Sequence, residues 1–407
     1  MRILVVHNHY RSDAPSGERT VVEQETAALR SRGHDVRLFE RFSDDIVGWS
    51  RARKATLPVE ALWGVSSHRQ LAALLQSFRP DVVHVHNLFP LISPTALTAC
   101  REQGIPIVAT IHNYKLACAS GDFFREGEPC FECAGGAVMP ALAHGCYHES
   151  RAHTALTVTG MKLHRSRWQD DVSAYIFISD AQRRLLRSVG LPPERSFVKH
   201  NFIRDGLRPV QHREKLVTYL GRLEAAKGVA LVMQAWDKFA PTADRLGYRL
   251  AVVGGGPMAE KVAAWAGGHA SVTYHGLLPR HEAMTVLARS RLSLAPSTWH
   301  ETFGLVAVES MALGIAPVAS DRGAFPELVE DGVTGRLVDP SDAEGLVEIL
   351  IDLTERPERY DGLGRAARRA FEERFTADVS VDRLESIYRF AIDTPLGSVP
   401  STAGSAG

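Results

Sequence analysis

The sequence predicts an α/β protein built from two doubly wound domains, on three observations. Short β-branched runs alternate with helical patterns almost from the first residue. The alternation stops once, near residues 203–214, and then begins again. The 407 residues also exceed the ~250–300 at which a single core stops growing.

Taken in order, RILVVHN, DVRLFER, DVVHVHN, IPIVATIHN, AYIFIS and SFVKHNF read as strands, with amphipathic stretches such as RTVVEQETAALRSRG between most of them. Strands that are apolar nearly throughout, joined by helical crossovers, indicate a parallel sheet covered on both faces. IRDGLRPVQHRE is polar, contains a proline and lacks periodicity, so it reads as a linker. LVTYLGRL, YRLAVVGGG, SVTYHGLL, RLSLAPS, APVASD and GRLVDP then form a second strand series with its own helices. The expected domains are residues 1–205 and 214–375, followed by a helix over 376–393 placed to pack back on the first domain. The tail 394–407, TPLGSVPSTAGSAG, is small and polar and reads as disordered. Ligands of such sheets sit outside the carboxyl ends of the strands, so two of them face to face would make one deep cleft.

Composition narrows the function classes. The 47 basic and 47 acidic side chains cancel, so no global field recruits nucleic acid or a membrane, and an anion must be held by local groups. Hydrophobic residues at 45% and charged residues at 23% match a soluble globular protein. MRILVVHNHY has too short an apolar run for a signal peptide, and no ~18-residue apolar run occurs, so a cytoplasmic location is expected. Oligomeric state is not encoded in any of these features.

FGLVAVESMAL, residues 303–313, is apolar on every side and must lie inside its domain, yet it carries Glu309. One reading is a buried salt bridge with an arginine. The other is a carboxylate accepting two hydrogen bonds from a ribose diol. Gly304 favours the second, because it allows close backbone approach at a helix N-terminus, where free amides and the dipole attract phosphate. Glu301, just before the helix, would then reach toward whatever is attached beyond the phosphate. Arg222 and Lys227 of GRLEAAKG follow a strand at its carboxyl end and suit a diphosphate, although solvated surface charge explains them as well when taken alone. VVGGGP, residues 252–257, is a glycine turn that signals either nucleotide proximity or tight strand–helix packing.

In this order and spacing, the stretches resemble the retaining glycosyltransferases of family 4, which have the GT-B fold of two Rossmann-like domains. The two glutamates with seven residues between them resemble the family signature, GRLEAAKG its arginine and lysine element, and VVGGGP its glycine turn; the likeness runs over about residues 1–375. The resemblance implies that Arg222 and Lys227 hold the donor diphosphate, Glu309 the ribose, and Glu301 the hydroxyls of the donor sugar. It also implies that the amides of Phe303, Gly304 and Leu305 face phosphate and sugar, and that His112, at the end of IPIVATIHN, is the active-site histidine. A capping or core histidine is the alternative for His112. Where the family often has a Gly-Gly pair in the first loop, this chain has Ser16-Gly17, so Gly17 alone would approach the phosphates and acceptor. Thr302 stands where many relatives have glycine.

The implied reaction moves a hexosyl group from a nucleotide-sugar, UDP-linked first and GDP-linked next, to a hydroxyl of a small, glycan or lipid-linked acceptor. It proceeds with retention and without a catalytic metal, by a front-face route. The rivals are a sugar-nucleotide epimerase or a phosphorylase of the same architecture, and a non-catalytic nucleotide-sugar sensor.

Two further stretches are left over. Cys118, Cys130, Cys133 and Cys146 crowd one insertion, residues 114–150, four of the five cysteines in the chain. Four thiolates suit a closed structural zinc site, but only Cys130 and Cys133 have the tight C-x-x-C spacing, and buried or redox thiols remain the alternative. MKLHRSRW and RRLLRSVGL are basic and amphipathic, the kind of segment that can lie on anionic lipid, with an ordinary helix between water and sheet as the stronger reading.

Overall fold

Each apolar run read as a strand is one in the computed structural model, which describes residues 1–11, 17–204, 206–210 and 212–396. Ser16 and residues 397–407 of the tail lie outside the described residues. The chain divides into two compact units. The first holds Met1–Gly121, Glu132–Lys199 and the chain from Ser380; the second holds Asp122–Phe131 and His200–Val379.

In the first unit the strands are β1 (Arg2–His9), β2 (Asp35–Phe42), β3 (Val82–Val85) and β4 (Ile107–Ile111). A two-strand antiparallel hairpin, β5 (Phe124–Arg125) and β6 (Glu128–Pro129), follows in sequence but groups with the second unit. The first unit then adds β7 (Ala174–Phe177) and β8 (Ser196–Val198). Its sheet runs in the order β2-β1-β3-β4-β7-β8, with every pair parallel. Ile3, Leu4, Val5 and Val6 are all buried although successive strand residues face opposite sides, so the sheet is covered on both faces.

The second unit repeats the plan with β9 (Leu216–Leu220), β10 (Arg249–Val253), β11 (Val272–Gly276), β12 (Leu292–Ala295), β13 (Ala316–Ser320) and β14 (Arg336–Val338). The order β11-β10-β9-β12-β13-β14 is the doubly wound 3-2-1-4-5-6 arrangement, and its topological switch point lies between β9 and β12. Trp236 and Phe239 of the helix Val229–Leu246 pack edge to face in a core with Val217, Leu250, Leu292 and Val318.

Two segments group away from their neighbours in sequence. The helix Ala377–Asp393 belongs to the first unit from Ser380 onward. There Tyr388 Oη lies 2.7 Å from His84 Nδ1, and Arg32 and His34 meet Asp382 and Glu385 at 2.7 and 3.0 Å. The cysteine-bearing insertion is split: Phe131, just past the hairpin, sets its ring edge-on at 4.9 Å from His300, so residues 122–131 join the second unit. Strands of two residues carry no periodicity, so nothing in the sequence pattern announced them.

Candidate active site

The switch point of the second unit gathers the charged residues. Arg222 and Lys227 follow β9, and Glu301 follows β12, its neighbour in the sheet. Three contacts shape the first loop. Tyr219 Oη donates to the Arg222 and Lys227 carbonyls at 3.1 and 3.2 Å. Gly228, at φ 69°, passes so close to Pro296 that a Cβ there would lie 1.8 Å from the Pro296 oxygen. Thr298 N donates to Ala226 O at 3.0 Å. The loop carrying the cations is thereby fastened to the loop carrying Glu301.

Lys227 Nζ reaches Glu301 Oε1 at 2.6 Å, and Ser297 Oγ donates to the same oxygen at 2.8 Å. Burial opposes ionisation of Glu301, but the Lys227 ammonium and these hydrogen bonds outweigh it and hold the carboxyl below its ordinary range. Glu301 is therefore a carboxylate at neutral pH, fit to accept hydrogen bonds from hydroxyls. Lys227 also lies 4.7 Å from the Trp299 ring centroid. Arg222 is half exposed and held by Glu224 at 2.9 Å.

The helix Leu305–Ala312 starts at Gly304, whose φ of 95° and whose missing Cβ, which would stand 2.4 Å from the Phe325 ring, both require glycine. Gly304, Leu305 and Val306 are partly exposed while the rest of the helix is buried. First-turn amides have no acceptor within their own helix, so this end presents donors and the positive end of the dipole. Phe303 contributes backbone only, because its ring is buried near His200 and Phe375 at 5.9 and 6.3 Å.

Glu309 has a protein partner. Arg280 Nη1 binds its Oε1, and burial, countered by that arginine, raises the carboxyl above its ordinary range. This is the salt bridge that the sequence left open, with one difference: the Arg280 side chain is 48% exposed against 6% for Glu309. The pair thus has one buried and one solvated member, and the arginine can swing without stranding a second buried charge.

The glycine turn is explained by packing. Gly254 (φ 147°) and Gly256 (φ 149°) press on the backbone of the β9 loop, and Cβ atoms there would lie 1.8 Å from Gly221 O and 2.6 Å from Leu223 O. Its role is to let β10 close on the loop that bears Arg222.

In the first unit the same dipeptide lies at the carboxyl side of three strands: His7-Asn8 near the end of β1, His86-Asn87 just after β3 and His112-Asn113 just after β4. His86 Nδ1 and His112 Nε2 lie 2.8 Å apart with rings stacked. Burial first, then neighbouring positive charge, lowers His86 and His112 well below 6.5 and takes His7 to about 3. These imidazoles are neutral at physiological pH, so His112 offers a neutral ring nitrogen and not an imidazolium. Glu18, missed in the sequence, faces His7 at 3.6 Å; its Oε1 has no hydrogen-bond partner among the described residues, and burial raises the carboxyl to about 8. Gly17 opens the helix Gly17–Ser31 that carries Glu18 and is exposed. Glu18, His86 and His112 line one cavity of about 210 Å³.

Deeper in the same unit, Glu25, His84 and His86 bring ligand-type atoms within 4.8 Å of one another, the one such group among the described residues. Lys199 Nζ already answers Glu25 at 2.5 Å, so this is a buried ion pair in a polar network and its charge is met without a metal. Of the four cysteines of the insertion, Cys118, Cys133 and Cys146 lie in the first unit and Cys130 in the second. Cys133 and Cys146 border a small apolar cluster with Ala119, Ala141 and Val158.

Residues 207–370 match the family described as Glycosyl transferases group 1, and residues 15–206 match Glycosyltransferase Family 4. The chain is 29% identical over 386 residues to the phosphatidyl-myo-inositol mannosyltransferase of Mycobacterium tuberculosis, covering 89% of this chain and 91% of that one. It is 25% identical over 321 residues to the N-acetyl-alpha-D-glucosaminyl L-malate synthase of Bacillus anthracis, covering 78% and 77%. Among solved structures, Anabaena HepE in complex with UDP-glucose superposes with a TM-score of 0.65 at 17% identity, covering 96% of this chain and all of that one. A glycosyltransferase from Rickettsia africae gives 0.68 at 13% identity, covering 96% and 99%. The chain belongs to glycosyltransferase family 4 and is a glycosyltransferase of the GT-B fold.

Proposed function

We propose that the protein transfers a hexosyl group from a nucleotide-sugar to an acceptor hydroxyl with retention of configuration, the second unit holding the donor and the first the acceptor. The observation that carries this reading is the Lys227–Glu301 pair at the switch point of the second sheet, next to the helix start at Gly304. A lysine, an arginine and a row of amides can bind a diphosphate and stabilise its charge as it leaves, with no metal invoked. Glu301 takes sugar hydroxyls, and Glu309 takes the ribose once Arg280 yields one side of the carboxylate. The relatives support the class: one is named for mannosyl transfer to phosphatidyl-myo-inositol, and HepE was solved with UDP-glucose. UDP-linked donors are the first expectation and GDP-linked donors the second.

Retention here needs no enzyme nucleophile. Glu18 is a carboxyl of the first unit, but with a value of about 8 it is largely protonated at neutral pH and is a poor nucleophile. A front-face route remains, in which the departing diphosphate takes the acceptor proton. His112, neutral, donates or accepts a hydrogen bond beside the transferred sugar. The reading is tested by incubating the protein with a panel of UDP- and GDP-sugars and following slow donor hydrolysis by mass spectrometry, with Lys227→Ala and Glu309→Ala as controls. Consumption of one donor that both variants abolish is expected. Consumption of none, or equal consumption by the variants, would remove its basis.

A further inference from the structure

We infer that the cavity of the first unit binds the hydrocarbon chain of a lipid-linked acceptor, which narrows the acceptor class and rests on the glycosyl-transfer reading above. The cavity has two kinds of wall. Glu18, His86, His112 and Asn113 line it from the carboxyl ends of the strands and from the helix that follows β1. Leu62, Leu156 and Met161 line it from the helices Leu57–Trp63 and Arg151–Leu163, with Leu88, Leu116 and Trp168 beside them. The two helices pack closely at Gly160, where a Cβ would meet Leu62 Cδ2 at 3.3 Å.

Thr157, Lys162, His164 and Arg165 also line the helix side, but a sugar acceptor filling this space would still set hydroxyls against leucine, methionine and indole, which is unfavourable. A hydroxyl head at the histidine side with an alkyl chain on the helix side satisfies both walls. Leu62, Leu116, Leu156, Met161 and Trp168 are only partly buried, so apolar surface remains to be covered.

The outside of the same helices indicates where the chain comes from. Val59 and Trp63 on the first helix and Leu163 on the second are 51%, 46% and 41% exposed. Arg51, Arg53 and Lys54 on the preceding short helix and Lys162 on the second are exposed as well. Exposed apolar side chains with exposed cations on the same and the preceding helices fit an anionic lipid surface. The occupant is therefore an acyl or isoprenoid chain drawn from a bilayer.

The test uses the full chain and n-alkyl β-glucosides from methyl to decyl, below their micelle concentrations, with binding read by calorimetry. Affinity should rise roughly fourfold per methylene, the equivalent of about 0.8 kcal/mol, until the cavity is full. Leu156→Trp should end the gain at a shorter chain while leaving the melting temperature near wild type, and Leu156→Ala should extend it. Should the tryptophan variant fold poorly, the alanine variant and the wild-type series still decide. In flotation assays the protein should bind phosphatidylglycerol vesicles and not phosphatidylcholine vesicles. Affinity independent of chain length, or a chain series unchanged in both variants, would overturn the inference; failure to bind anionic vesicles would overturn the bilayer source. Binding alone carries these readouts, so they hold even if no donor is consumed. Donor hydrolysis without any chain-length dependence would sink this inference and leave the proposed reaction standing.

Discussion

Removing the Lys227 ammonium would leave the buried Glu301 carboxylate without its cation, with only neutral donors such as the Ser297 hydroxyl, so Lys227→Ala should cost stability as well as donor affinity. The lost charge-assisted bond and the stranded acid together suggest ~1–3 kcal/mol, measurable by chemical denaturation. Glu18 makes the opposite case, an acid kept neutral by burial. Its folded value of about 8 lies above the ordinary 4.5, so between these values the folded chain binds more protons than the unfolded one. Its contribution therefore falls as pH rises through that window. Glu18→Gln should abolish the part of the stability loss between pH ~6.5 and ~8 that this residue causes, as read from melting temperatures across that range. Of these residues, Arg222, Lys227, Glu301 and Glu309 were legible in the sequence because a charge at a strand end or inside an apolar helix has few explanations. Glu18 was not, since its helix looks amphipathic and a lone glutamate in a first turn reads as an ordinary dipole partner.

At the scale of elements, the glycines separate by what surrounds them. Gly254→Ala drives a Cβ to 1.8 Å from the Gly221 carbonyl, and that oxygen belongs to backbone that cannot rotate away. Gly33→Ala, at φ 81° with nothing within 4 Å, has only its dihedral to fight. The first substitution should cost ~3 kcal/mol or more and displace the Arg222 loop. The second should cost about 1–2 kcal/mol and leave donor binding alone. Denaturation midpoints and nucleotide binding of the two variants check this. The twelve strands of the two sheets were readable because each is a β-branched run bounded by turn residues. The hairpin of β5 and β6 was not, because two-residue strands are held by tertiary contact and have no pattern of their own. The His-Asn dipeptide at the carboxyl side of β1, β3 and β4 was visible in the sequence. Its recurrence at neighbouring strand ends was the signal that would have found His7 and His86 together with His112.

For the whole molecule, buried titrating groups set opposing slopes with pH. His7, with a folded value of about 3, His84, at about 4, and His86 and His112, both well below 6.5, are neutral in the fold and protonated in the acid-unfolded chain. Each therefore adds stability as pH rises toward 6.5 and none above it. Glu18 and, in direction, Glu309 act in the reverse sense from 4.5 upward. Four histidines outweigh two acids on the acid side and are silent on the other, so the melting temperature should peak near pH ~6.5. A thermal melt series across that range reads the peak. The central claim is that the second unit grips a nucleotide diphosphate through Arg222, Lys227 and the amides that begin at Gly304. Its most direct test is calorimetric titration of the wild-type protein and Lys227→Ala with UDP- and GDP-sugars. The account predicts that one donor binds the wild type and that the variant binds it about 10- to 150-fold more weakly, the ~1.5–3 kcal/mol of a hydrogen bond to a charged group. No binding of any nucleotide-sugar, or equal affinity for both proteins, would contradict it.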